Sequence, residues 1–245
     1  MGRLDGILEQ GVVKRWSRLA EEAERMDPAA LHAAGQRARR LARQLQRILS
    51  ASDARARPCR VVPKPLHADW AWRPDLWSAP LAPGGVAALA SGMSLGRDVK
   101  VFHDCPRREC SVRQMPGDGA QAGAAYGLSI EVYHFEGKFL SLAIDLPPEA
   151  LDGLSRRHLV RLSADCDLER PLSAYCRLNV RHGPNVAQVV RALEGEDHVD
   201  LDLAASDLDE ERINAAWVDL IFEAPAMNRI VLGDVTLSRR PRAEF

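Results

Sequence analysis

His103, Asp104, Cys105 and Cys110 form the most reactive-looking cluster in the chain. The H-x-C-x4-C spacing could supply metal ligands, and a cysteine two positions from a histidine could supply a nucleophile with its base. Structural zinc favours C-x2–4-C spacing together with a second ligand pair. That second pair is absent unless His134, Cys166 or Cys176 comes round in space. The competing expectation is a turn capped by Asp104, with Cys105 and Cys110 packed as small apolar groups. A second cluster, Asn179, His182 and Asn185, runs off a strand into Gly183-Pro184, and loops on a rigid sheet commonly carry binding side chains. Asn185 could equally cap a short helix over Val186–Leu193, and His182 could satisfy a turn carbonyl. Asp145 and Asp219 would serve glycoside hydrolysis only if they faced each other within about 5–10 Å. The chain contains no G-x-S-x-G, P-loop, dinucleotide fingerprint or H-E-x-x-H, so the usual enzyme classes lose their sequence handle. Neither a metal nor a cofactor is expected.

The elements that must position these residues are strands. In Lys138–Leu146, Leu140, Leu142, Ile144 and Leu146 fall on one side, because successive strand side chains point to opposite faces. Leu172–Val180, Ala215–Glu223 and Asn228–Ser238 repeat the alternation, and Ser94–Met115 reads as strand, turn and strand. Such strands, without long helices between them, predict a mainly β protein with a jelly-roll-like antiparallel β-sandwich. The residues opposite the apolar positions are Tyr133, Phe139, Arg161, Tyr175, Arg177, Asn179, Trp217 and Asp219. On one sheet face they would set aromatic rings beside planar hydrogen-bonding groups, a combination suited to sugars. The bland alternative is that the front of the chain covers that face and the rings are a second small core.

Two helices precede the sandwich. Leu4, Ile7, Leu8, Val12, Trp16, Leu19, Ala23 and Met26 keep helical spacing, and Asp27-Pro28 supplies a cap and first-turn proline for a second helix. There Leu31, Ala34, Ala38, Leu41, Leu45 and Ile48 form a seam that wants a partner, which predicts an N-terminal α-helical hairpin. Its basic side, Arg37, Arg39, Arg40, Arg43 and Arg47, has no interleaved aromatic, so it suits a protein partner better than nucleic acid. Between hairpin and sandwich lies a stretch rich in proline that also holds Trp70, Trp72 and Trp77. It predicts an extended strap that seals a sandwich edge or, with its rings exposed, offers a platform for a flat ligand. The expected division is residues 1–52 hairpin, 53–96 strap and 97–245 β-sandwich.

Composition sets the outer bounds. At 245 residues, 46% hydrophobic and 27% charged, the chain can bury a full core, and no apolar run approaches the roughly 18 residues a membrane span needs. Five cysteines, Cys59, Cys105, Cys110, Cys166 and Cys176, fit a reducing compartment. Charges run through the apolar positions at the front, leaving no signal-peptide core, so a cytoplasmic location is expected. The net charge of −1 hides an asymmetry: residues 1–57 carry 12 basic against 7 acidic side chains, and residues 119–245 carry 13 against 21.

The runs FHDC at Phe102–Cys105, FLSLAIDLPPEAL at Phe139–Leu151, RLNVRHGPN at Arg177–Asn185, and WVDLIF with MNRIVLGDVTLSRRPRAE between Trp217 and Glu244 resemble an alphaproteobacterial domain-of-unknown-function family. The resemblance covers the chain from about Gly84 to the end, with a more loosely matched helical front, and carries over no catalytic residue. The closing NRIVLGDVTLS is similar to the last strand of jelly-roll carbohydrate-binding modules, which implies a sandwich that binds a carbohydrate or a glycan-bearing partner. The expectation taken forward is a non-catalytic binding module with Tyr133, Tyr175, Arg177, Asn179, His182, Asn185, Trp217 and Asp219 at the ligand. The alternatives are a structural or interaction module docking through the basic hairpin, and an enzyme or metal site at His103, Cys105 and Cys110.

Overall fold

The computed structural model describes residues 3–56, 62, 64–117, 123–193 and 197–242, with side chains in the first two helices described at 11–45 and 48. Cys59, Pro58, Pro63 and the side chains of Leu4, Ile7, Leu8 and Arg47 lie outside the described residues. By packing, the chain forms two units, Met1–Ala56 and Arg57–Phe245.

The first unit holds α1 (Arg3–Glu22), a short 3-10 turn (Ala23–Arg25) and α2 (Pro28–Ala56). Asp27 caps α2: its Oδ1 accepts from the Ala29 and Ala30 amides at 3.0 and 3.1 Å, satisfying two donors that the first turn leaves open. The seam is narrower than the sequence pattern predicts. Trp16, Leu19, Ala23, Met26, Ala34, Ala38 and Leu41 are half-buried, while Val12, Leu31, Leu45 and Ile48 remain exposed. Among the described residues, no helix is long and apolar enough to cross a membrane.

The second unit is a sandwich of two antiparallel sheets. It is built from β1 (Trp70–Trp72), α3 (Asp75–Ser78), β2 (Gly85–Ala87), β3 (Met93–Leu95), β4 (Val99–His103), β5 (Cys110–Pro116), β6 (Tyr126–Val132) and β7 (Phe139–Asp145), in chain order. There follow β8 (His158–Leu168), β9 (Ala174–His182), β10 (Asn185–Ala192), β11 (His198–Asp202), β12 (Ile213–Glu223) and β13 (Asn228–Pro241). Sheet I runs β11-β8-β13-β6-β5-β2, with β1 also paired to β13, and sheet II runs β10-β9-β12-β7-β4-β3. The chain crosses between the sheets at most connections, giving the jelly-roll-like sandwich that the alternation predicts. Its core is the inward half of each strand: Leu140, Leu142 and Ile144 of β7, Leu178 and Val180 of β9, and Val218, Leu220 and Phe222 of β12 are at most 1% exposed. These face Leu128, Ile130, Leu162, Leu232 and Leu237 of sheet I in one cluster.

Three expectations are corrected here. The strap is not coil throughout: β1 joins sheet I, α3 intervenes, and β2 and β3 form an edge of each sheet. Trp77 is fully buried and donates its indole N–H to the Leu232 carbonyl at 3.1 Å, so no platform of three exposed tryptophans exists. Trp70 and Trp72 stack at 6.3 Å as β1 runs beside the C-terminal half of β13. Finally, Val186–Leu193 is not a helix: residues Asn185–Ala192 form β10, hairpinned to β9 through Gly183-Pro184, where Gly183 takes the positive φ of 59° that an L-residue resists.

Ion pairs tie the strap and edge to the sheet. Arg239, 6% exposed, grips Asp69 through Nε and Nη2 and donates Nη1 to the Ala150 and Asp152 carbonyls at 2.9 and 2.8 Å. Burial works to raise the Asp69 carboxyl, but hydrogen bonds and charge from Arg239, with His158, hold it below its ordinary value. Asp200 is likewise held low, by hydrogen bonds from Arg161 that outweigh burial, with Arg240 assisting. A carboxyl depressed in the folded state stabilises fully above its unfolded value near pH 4, and that stability is lost as pH falls through the lower folded value. The thermal midpoint should therefore hold level from pH 7 to about 5 and fall steeply below about 4. Asp69→Asn with Asp200→Asn should flatten that fall, and a scanning fluorimetry pH series in which the variant falls as steeply as the parent would contradict it.

Candidate functional site

The outward side of sheet II carries the chemistry. Strand register aligns Tyr175, Ile221, Ser141 and Phe102 in one row across β9, β12, β7 and β4. The adjacent row is Arg177, Asp219, Ala143 and Lys100, and the next sets Asn179, Trp217 and Asp145 side by side. At about 4.8 Å per strand, each four-strand row is roughly 14 Å long. Ser141 and Ala143, small and nearly buried between larger neighbours, lower the middle of the two rows. Phe102 and Phe139 are the most open rings, at 38% and 37% exposed, whereas Tyr175 and Trp217 are half-buried.

The polar groups hold one another rigidly. Arg177 donates Nε and Nη2 to Asp219 Oδ2 at 2.9 and 2.8 Å, and Asn179 Nδ2 donates to the same oxygen at 2.9 Å. Gln188 of β10 donates to Asn179 Oδ1 at 2.9 Å, extending the chain of bonds to the sheet edge. Asp219 and Asn179 are 5% and 1% exposed, so the charge-assisted bonds to Oδ2 act in a low-dielectric setting. Asp219 Oδ1 takes none of these bonds. Lys100 pairs with Asp145 at 2.8 Å, and the Arg181 guanidinium lies 5.5 Å over the Trp217 ring. That cation braces the indole and occupies one of its faces.

Of the residues singled out in the sequence, Tyr175, Arg177, Asn179, Trp217 and Asp219 meet on this face, with Phe139 at its margin. Four others do not join them. Tyr133 follows β6 and Arg161 lies on β8, both in sheet I, where Tyr133 donates its hydroxyl to Glu131 at 2.7 Å and Arg161 forks onto Asp200. His182 falls on the inward side of β9, 7% exposed, with Nδ1 accepting from the Asp209 amide at 3.3 Å. Asn185, register partner of His182, sits at the hairpin tip away from the rows. Phe102, Lys100, Arg181, Gln188 and Ile221 are the members that the sequence did not single out. Their outward parity was legible, but not which strands lie beside them.

His103, Cys105 and Cys110 lie in the core margin rather than at an open site. Facing a carbonyl that can only accept, Leu89 O at 3.1 Å, His103 Nε2 carries the proton, and the ring meets Phe135 edge-on. Cys105 Sγ accepts from the Glu136 amide, and burial, then Cys105, pushes the Cys110 thiol up, away from the thiolate a nucleophile needs. Asp104 Oδ1 caps the turn before β7, accepting from the Lys138 and Phe139 amides at 2.8 and 3.2 Å. Among the described residues, no group of three or more His, Cys, Asp or Glu is arranged to hold a metal.

Two facing sheets with crossing connections, and one face of rings and interlocked amides, define a jelly-roll-like β-sandwich protein. The chain belongs to DUF6478, a family of unknown function whose model matches residues 1–245. The family likeness read from the strands, and more loosely from the helical front, thus holds over the whole stretch of residues 1–245. Among solved structures, the chain is similar to the enzymatically active domain of tailspike protein 4 of bacteriophage CBA120, at 7% identity and TM-score 0.41, covering 62% of this chain and 22% of that one. It is also similar to the family 11 carbohydrate-binding module of Clostridium thermocellum, solved with a β-1,3-1,4-mixed-linked tetrasaccharide: 8% identity, TM-score 0.36, 64% of this chain and 96% of that one. A third is the tandem carbohydrate-binding module 22 region of Xyn10C from Paenibacillus barcinonensis, at 13% identity, TM-score 0.34, 66% of this chain and 48% of that one. No curated protein matches the chain.

Proposed function

We propose that the protein is a non-catalytic binding module that holds carbohydrate, free or on a glycan-bearing partner, against the outer face of sheet II. One observation carries this: open rings at Phe102 and Phe139 share a rigid sheet face with the Arg177–Asp219–Asn179–Gln188 bonds. Rings offer flat apolar surface to sugar C–H groups, while the Arg177 guanidinium and Gln188 amide, which reach solvent and are held from below by buried Asp219 and Asn179, meet hydroxyls at little ordering cost. Lys100 and Arg177 are each matched to a carboxylate, which suits uncharged hydroxyls. The remote likenesses to solved modules carry none of this.

The test is a glycan array with the whole chain. Parent protein should bind a defined set of glycans. Phe102→Ala and Tyr175→Ala should each weaken that binding about tenfold, the loss of roughly 1.4 kcal/mol expected for a stacking ring. Trp217→Ala should weaken it less, because Arg181 already covers one face of that ring. Folded parent protein that binds no glycan, or ring variants that bind like the parent, would overturn the proposal.

A further inference from the structure

The helical unit offers a second surface with different chemistry. A groove of about 660 Å³ runs between α1 and α2, floored by Trp16, Leu19 and Met26 with Ala30 and Ala34. Among the described residues, Lys14, Arg15, Arg18 and Arg37 line it against one acid, Glu22. No described residue in the 11–45 stretch is fully buried, so two helices alone leave their apolar seam open to water. The groove-lining part of α1, Gly11 to Glu22, is roughly 17 Å long at 1.5 Å per residue, which matches about three turns of another helix.

The charge of the rims decides what fits. A second copy would bring the same cations to the same groove, and like charges brought together cost affinity. A bilayer prefers apolar side chains that project outward, whereas the tryptophan and leucine here sit within a concave seam. We propose that this groove receives an amphipathic helix of a partner protein, apolar on one face and acidic on its flanks. Its apolar ridge completes a three-helix bundle over Trp16, Leu19 and Met26, and its carboxylates meet Arg15, Arg18 and Arg37.

The test uses the full chain and two synthetic helical peptides of about 15 residues. Both carry leucines on one face; one has glutamate on its flanks and the other lysine. The glutamate peptide should bind saturably, with affinity falling at least tenfold from low to high salt, and the lysine peptide should not bind. Arg15→Glu with Arg18→Glu, both exposed, should weaken the glutamate peptide at least tenfold while the circular dichroism spectrum stays unchanged. Absence of saturable binding, equal binding of both peptides, or insensitivity to the charge reversal overturns the proposal. So does binding of phosphatidylserine vesicles, or a concentration-dependent dimer in sedimentation, that the reversal abolishes while peptide binding is unaffected.

Discussion

Trp77→Ala should be the most damaging single replacement of an apolar side chain in the sandwich, costing about 3–5 kcal/mol. The indole is fully buried, and its N–H satisfies the Leu232 carbonyl in the middle of sheet I. Its own backbone carbonyl accepts from the Ala125 amide at 3.1 Å, leading into β6. Alanine would leave a cavity of indole size and an unsatisfied carbonyl together. For a unit of this size the thermal midpoint should drop on the order of 10 °C. Trp77→Phe should retain most of the packing and lose chiefly the hydrogen bond, about 1 kcal/mol. Thermal unfolding of both variants checks the ordering, and an unchanged midpoint for the alanine variant would mean that α3 does not plug the core.

Asp234→Ala should be nearly as costly, for an electrostatic reason. The Arg73 side chain is 1% exposed and donates Nε and Nη2 to the two Asp234 oxygens at 2.8 and 2.7 Å. Taking away the carboxylate removes two charge-assisted hydrogen bonds from a buried guanidinium, a loss of about 3–5 kcal/mol. Replacing both partners, Arg73→Met with Asp234→Ala, should cost less than the single change, because the buried guanidinium goes together with the carboxylate that neutralises it. Denaturant midpoints for the single and double variants separate the two cases; a double variant weaker than the single by the full cost of Arg73 packing alone would contradict the charge account.

The strands were legible because alternation depends only on the chain's own parity: β7, β9, β12 and β13 lie where Leu140, Cys176, Val218 and Ile230 put them. Half of the candidate face was legible for the same reason, since Arg177 and Asp219 were both placed outward. What parity cannot convey is which strands are neighbours. Tyr133 and Arg161 share the outward sense of Tyr175 but belong to the other sheet, and β4 and β5, read as one strand–turn–strand unit, sit in opposite sheets. His182 failed differently. It was read as part of a loop, yet the strand continues through it and turns its ring inward. The strap misled because proline density masks short edge pairings, and three-residue strands such as β2 and β3 leave no periodicity to detect.

The position of β13 bears on how the molecule comes into being. It lies between β8 and β6 and also holds β1, so among the described residues those three strands join one another in the sheet only through residues 228–241. Loop closure over such separations is slow. During synthesis β8 with β11, and β6 with β5 and β2, can pair earlier, but the facing edges of β6 and β8 have no partner until β13 is made and fills the gap.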